Sequence, residues 1–386
     1  MSIDERTRRA WAYLSRVVEG PSCALHALIS QEGPVGAEAR IRARTLPDGL
    51  LGPTQARHHL DRAAADLAAL SACGGRLVTT DDDEWPGWKM NAFGGITPAP
   101  SRVEGKEPVA PVALWVRGPA RLDEIVERAV AVVGTRDVSG YGERVGTQLC
   151  QDLVADGVAV VSGAAYGVDG VAHRAVLAAG GATVAVLACG VDRAYPAGHG
   201  GLLNRIAATG IVLTEHPPGT SAARFRFLAR NRIVAGLGGG AVVVEAGWRS
   251  GARSTISWAR ALGLPAMAIP GPVTSLQSTG CHRMIVRGEA ELVTSAADVV
   301  ERIGHIGELA LEPAGPHRLL DGLTSTQLQV FEVLPTRAPL PLSLVAERSG
   351  VPMERVRPTM VSLEIEGLVK RTDEGWSRAR HARTGA

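Results

Sequence analysis

Lysine is almost missing from this 386-residue chain: Lys89, Lys106 and Lys370 are the three, and arginine supplies the rest of the 41 basic side chains. Cysteine is sparse and odd in number, with Cys23, Cys73, Cys150, Cys189 and Cys281 scattered and no C-x-x-C pair. That excludes a disulfide framework and a thiolate zinc site, and it suits reduced thiols in the cytoplasm. No run approaches eighteen apolar residues, so no membrane-spanning helix is expected. The opening MSIDERTRRAW is charged and lacks an apolar stretch, so no signal peptide is expected. Aromatics make up 4% of the chain, with four phenylalanines. A net charge of +2 gives no bulk attraction to a polyanion.

What is present is unevenly placed. Between His216 and Gly288 Glu245 is the one acid, while Arg224, Arg226, Arg230, Arg232, Arg249, Arg253, Arg260, Arg283 and Arg287 fall in the same window. Two of the four phenylalanines, Phe225 and Phe227, sit inside the run RFRFLARNR at 224–232. Aromatic rings set among arginines suit single-stranded nucleic acid, because unpaired bases stack on rings while guanidinium groups track phosphates. Duplex DNA hides those base faces. The bland alternative is that both rings are core and the arginines merely solvated.

The hydrophobic share, 45%, is enough for real cores, and the length suggests two or three domains. Residues 1–75 read as short helices with Gly/Pro turns. RTRRAWAYLSRVV puts Ala10, Leu14 and Val17 on one face, and TQARHHLDRAAADLAALSACGG is a second helix stopped by Gly74-Gly75. Residues 76–111 are a connecting segment, with a short strand, an acidic turn at Asp81–Glu84 read as solvated, and a Pro/Gly-rich stretch. From 112 to 304 short Val-rich runs alternate with helices: AVAVVGTR, GVAVVSGAA, ATVAVLACG, GIVLTEHPPG, GAVVVEAG and LPAMAIPG. Continuous apolar strands between helices imply an α/β fold, an extended Rossmann-like parallel sheet with helices on both faces. A linker at 305–320 leads to 321–376, whose helix, helix, Gly350 turn, helix and final LVKR follow the order of a winged-helix-like domain. Residues 377–386 are expected to be a disordered tail.

In parallel sheets ligands sit beyond the carboxyl ends of the strands. The first Val-rich run ends at Gly134-Thr135-Arg136 and the second at Ser162-Gly163-Ala164, both just before helices. Small residues and helix N-termini there make anion sites. Neither has the G-x-G-x-x-G fingerprint, so hydride transfer is not expected. Asp169 and His173, four apart, read as a cap and a packed histidine rather than a catalytic pair. GWRSGARST, containing Ser250, Gly251 and Thr255, misses the P-loop spacing and its lysine, so ATP hydrolysis is not expected. Residues 228–237 read as a helix, with Arg226 and Arg230 one turn apart and Phe225 and Phe227 in or near the preceding loop.

As a set, VVGTR…SGYG, VVSGAAYGVDGVAHRA, VAVLACGVDRAYP, EHPPG, FLARNRIVAGL, VVVEAGWRSGARSTISWA and AIPGPV resemble the DNA-processing protein A family (DprA/Smf), in that family's order across roughly residues 110–300. The resemblance implies a single-stranded DNA-binding protein without catalysis or cofactor. It further implies delivery of DNA to the RecA recombinase, typically in natural transformation, and a homodimer in the cytoplasm. Carried over, Gly134, Thr135 and Arg136 match the first phosphate-binding turn, and Ser162, Gly163 and Ala164 the second. Phe227, Arg230, Asn231 and Arg232 match the F-P-x-R-N-R segment, and Ser250, Gly251 and Thr255 the Ser-Gly turn. Leu228 stands where the family usually has proline, and Arg253 and Ser254 replace apolar residues.

Two rival readings exist. GLGGGAVVVEA faintly resembles the glycine-rich motif of Rossmann-like phosphoribohydrolases, though its proline, threonine and spacing to Glu245 do not match. A transcription regulator would read duplex DNA with the C-terminal end, but residues 321–371 carry balanced charge.

Overall fold

The structure, a computed structural model, describes residues 3–95, 107–304, 320 and 322–379. Residues 96–106 of the connecting segment, 305–319 of the linker and 380–386 of the tail lie outside the described residues. Two compact units emerge, Met1–Leu311 and Glu312–Ala386.

The first unit is built on nine strands: β1 (Gly75–Val78), β2 (Leu114–Arg117), β3 (Ala129–Val133), β4 (Ala159–Ser162), β5 (Thr183–Val186), β6 (Ile211–Thr214), β7 (Ala241–Val243), β8 (Ala266–Ala268) and β9 (Glu291–Leu292). They lie in the order β1-β2-β6-β5-β4-β3-β7-β8-β9. From β6 to β9 every pairing is parallel, whereas β1 and β2 join antiparallel. The parallel strands are apolar throughout because both faces are covered. Ala129, Ala131 and Val133 point into the core beneath helices Arg224–Leu237 and Ala252–Ala261. Val130 and Val132 point the other way, beneath helices Gly140–Ala155 and Val168–Ala178. Each such buried valine contributes roughly 1.5–3 kcal/mol relative to leaving it exposed.

Strand order fixes where a ligand can enter. The chain leaves β3 for a helix on one face and leaves β7 for a helix on the other. β3 and β7 are neighbours, so their outgoing loops part around a crevice at the carboxyl edge.

The N-terminal helices Glu5–Val17, Cys23–Arg42, Asp48–Thr54 and Ala63–Ala72 pack into the same unit. Trp11, Leu14 and Val17 share a buried cluster with Trp115 of β2. The helix read over 54–73 is interrupted, because a turn at 55–59 is held by Tyr13 Oη donating to His58 O (2.7 Å) and Arg57 donating to Arg16 O (3.1 Å). The acidic turn is not merely solvated. Asp81 accepts from Trp11 Nε1 at 2.7 Å, Asp82 from Arg8 at 3.2 Å, and Glu84 pairs with Arg76.

The second unit holds helices Ser325–Glu332, Leu342–Ser349 and Met353–Ile365 around Val345, Val356, Met360 and Leu363. Gly350 turns the chain at φ +69° between the last two. A hairpin of β10 (Val369–Thr372) and β11 (Gly375–Arg378) follows, so β11 runs through Ser377 and Arg378 into the stretch read as tail.

Candidate nucleic-acid interface

A cleft of about 720 Å³ opens at the carboxyl edge where β3 and β7 diverge. It is lined by Gly134, Thr135 and Arg136 after β3, by Gly163 after β4, by Phe227, Arg230 and Asn231, and by Ser250, Gly251 and Thr255 after β7. Segments separated by more than a hundred residues in sequence thus meet around one opening. Ser162, Ala164, Arg226 and Arg232 are not among the lining residues.

The helix carrying RFRFLARNR begins at Arg224, not Leu228. Arg, Phe and Leu all tolerate helix, and Leu228 has the backbone N–H that a proline would lack, so the helix extends back through both phenylalanines. The consequence is a fixed fan of side chains. Phe227 points to the cleft, with the Tyr195 ring 5.2 Å away and the Arg136 guanidinium 5.3 Å from its centroid. Phe225 points outward and is exposed, with Arg226 5.0 Å from its ring.

The arginines divide by partner. Arg232 is buried and forms an ion pair with Glu215 at 2.5 Å, so it serves the core. Arg226 reaches back to Glu19 of the N-terminal region at 2.8 Å. Burial alone would raise the Glu19 carboxyl, but Arg226 and Arg57 outweigh it and hold it down at about 2. Arg230 is also buried, yet its tip reaches the floor of the cleft. Its Nη1 donates to Gly163 O at 2.7 Å and to Val186 O. A Cβ at Gly163 would stand 2.5 Å from that guanidinium, so any larger residue there would displace Arg230 from its carbonyls. Burial depresses the Arg230 pKa and Arg136 adds to this, while Asp169 opposes it. Asp169, buried at the same spot, is pushed up by burial against the pull of Arg230.

Asp169 and His173 are used separately. Asp169 accepts from Ala165 N at 3.3 Å, while His173 Nδ1 lies 2.8 Å from Thr183 Oγ1 and burial drives its pKa down to about 3. Ser162 Oγ donates to Val132 O at 2.6 Å inside the protein, and Ala164 adopts φ +54° in a buried turn.

The anion site expected at the start of helix Gly140–Ala155 is already filled. Ser139 caps the helix, accepting from Gly142 N at 3.1 Å. The Glu245 carboxylate accepts from Ser139 N at 2.8 Å and Ser139 Oγ at 2.6 Å, while Glu245 O accepts from Thr135 N at 2.7 Å. A carboxylate at a helix N-terminus is favourably placed. Glu245 therefore ties the β3 turn to the β7 turn, a role its position as the one acid of the basic window did not reveal. Gly167, at φ +78°, brings the β4 turn against the same place, since a Cβ there would lie 2.1 Å from Thr135 O.

Arg224 and Arg249 also line the cleft, which makes four arginines with Arg136 and Arg230 against the single acid Asp169. The sequence places Arg224 in the RFRFLARNR run and Arg249 in the basic window but marks neither as a site residue, because their direction depends on tertiary placement. The Gly236–Gly240 run lies at the opposite edge, where Gly239 N donates to Ala129 O and Gly240 O accepts from Ala131 N at the amino end of β3. Among the described residues no cluster of three or more His, Cys, Asp or Glu could hold a metal, and no helix is long and apolar enough to cross a membrane.

Residues 76–304, which span the sheet, the three strand-end turns and the helix that line the cleft, match the family model described as DNA recombination-mediator protein A. A Mycobacterium tuberculosis relative that carries the DprA name is 51% identical over 98% of this chain and 96% of its own length. Protein Smf of Escherichia coli is 35% identical over 70% of this chain and 73% of its own. The X-ray structure of DNA processing protein A from Streptococcus pneumoniae superposes with a TM-score of 0.62 at 28% identity, covering 79% of this chain and 100% of that one. With the sheet, the crevice and a nearly full-length match in agreement, the chain belongs to the DNA recombination-mediator protein A family, alongside the DprA and Smf proteins.

Proposed function

We propose that this protein binds single-stranded DNA in the cleft and delivers it to the RecA recombinase. It acts without catalysis, as a homodimer in the cytoplasm, in a process such as natural transformation. The binding work is assigned to residues 112–304, with the helical region 1–75 and the winged-helix-like end 321–376 as accessories. The observation that carries the reading is the cleft's lining: four arginines and one acid around Phe227 and Tyr195. Guanidinium groups suit phosphate oxygens, and two adjoining rings offer a surface to unpaired bases. Delivery to RecA rests on membership of a recombination-mediator family.

The test is competition between an oligothymidine and a duplex of equal length across a salt series. If about four phosphates are neutralised, log K should fall against log salt with a slope near −3 for a single strand, and the single strand should win at every salt concentration. Equal affinity for duplex, or a flat salt response, rejects the assignment. For delivery, competitor-coated oligothymidine carrying this protein should start RecA's DNA-dependent ATP hydrolysis with a shorter lag than oligothymidine coated by the single-strand-binding competitor alone. An unchanged lag rejects that step alone.

A further inference from the structure

Outside the cleft, the most exposed large aromatic among the described residues stands among cations. Trp248, in the turn between β7 and helix Ala252–Ala261, is 61% exposed. Trp88 and Phe225 follow at 55%, whereas Trp11, Trp115, Trp258 and Trp376 are buried. Covering that indole would remove apolar surface from water at roughly 25 cal/mol per Å², so an open tryptophan beside a binding cleft rewards an occupant. Its surroundings say which kind. The Arg283 guanidinium lies 4.0 Å from the indole centroid, a cation–π contact. Loss of solvation and the charges of Arg287 and Arg253 hold Arg283 below the ordinary arginine value. Arg283 Nε finds no hydrogen-bond partner among the described residues. The next residue along, Arg249, already lines the cleft.

We propose that Trp248 is a second base-stacking site, on which a single strand leaving the cleft past Arg249 lays a further nucleobase while Arg283 meets its phosphate. This rests on the reading of the cleft as a single-strand site, and it extends the bound length beyond the cleft. The other candidate occupant is a second copy of this chain, since Val273, Leu276, Val286 and Leu292 are exposed as well. Arginine-flanked indole continuous with a cationic cleft favours the polynucleotide, because a cluster of like charges opposes self-association while attracting phosphate.

The full chain and its Trp248→Ala and Trp248→Phe variants are compared on oligothymidines of about six and about twenty nucleotides, bracketing the site sizes usual for single-strand binders. Trp248→Ala should weaken the longer oligomer roughly tenfold and leave the shorter one unchanged, as expected for one lost stack. Trp248→Phe should retain most of the affinity but lose most of the tryptophan quenching that the longer oligomer causes in the parent protein. Unchanged affinity of Trp248→Ala for the longer oligomer overturns the proposal. So does a shift of Trp248→Ala to a smaller species in sedimentation with both oligomers weakened alike, which assigns the face to a second copy. If the parent protein binds neither oligomer, the cleft assignment itself has failed, a result distinct from failure of Trp248 alone.

Discussion

Arg230→Ala should lose single-strand affinity by tenfold or more and also lower stability by about 3 kcal/mol, because the side chain has two employments. Its Nη1 satisfies Gly163 O and Val186 O, two carbonyls at the ends of β4 and β5 that would be left without that donor. It also faces buried Asp169, whose carboxyl is already raised by burial and is pulled back by Arg230. Removing the guanidinium raises Asp169 further. A carboxyl with a folded pKa above its unfolded one binds more protons when folded, so its contribution is greatest below the unfolded value and declines as pH rises through the folded one. The variant should therefore lose stability relative to the parent more severely at neutral pH than at pH ~4, near the unfolded aspartate value. Urea midpoints at the two pH values and anisotropy with labelled oligothymidine measure both effects. Arg230→Lys keeps a charge but not the forked donor, and should fall between. A variant with parental midpoints and parental affinity would show that the guanidinium does neither job.

The second large effect is expected at Glu245. Glu245→Ala removes the acceptor of Ser139 N and Ser139 Oγ, leaving donors at a helix start without their carboxylate. Charged hydrogen bonds of this kind contribute about 1.5–3 kcal/mol each, less than additively, so a loss of about 2–4 kcal/mol is expected. Glu245→Gln, similar in shape, offers one oxygen where two are used and should lose roughly half as much. Because the carboxylate sits behind the cleft rather than in it, DNA affinity of the folded variant should drop less than in Arg230→Ala. Denaturation midpoints for the alanine variant within error of the parent would remove Glu245 from this role.

The sheet was legible because burial on both faces leaves an unmistakable trace: runs such as AVAVV at 129–133 admit no polar residue. Two strands escaped that reading. β9, Glu291–Leu292, is two exposed residues long. β2, at Leu114–Arg117, pairs antiparallel and is followed by a helix of a single turn, Leu122–Ile125, so it breaks the strand–helix alternation that marks the others. The site was legible as a set of turns, since glycine and serine at strand ends are local signals. The fates of the individual arginines were not. Arg226, Arg230 and Arg232 lie within seven residues, yet each is directed by a remote partner, Glu19, Gly163 O and Glu215 respectively. Nothing in RFRFLARNR distinguishes them. Asp81 and Asp82 illustrate the same limit, looking like a hydrated corner until Trp11 and Arg8 arrive from 70 and 74 residues upstream.

Gly167 carries one more implication. With the backbone of Thr135 and Arg136 lying where its side chain would be, and Val168 N donating to Thr135 O at 3.1 Å, the turns after β3 and β4 cannot shift separately. Whatever enters meets a rim whose shape was settled during folding. The ordering entropy of association then falls on the incoming polymer instead of the receptor, which favours a strand already extended in the bound shape over a freely coiled one of equal charge.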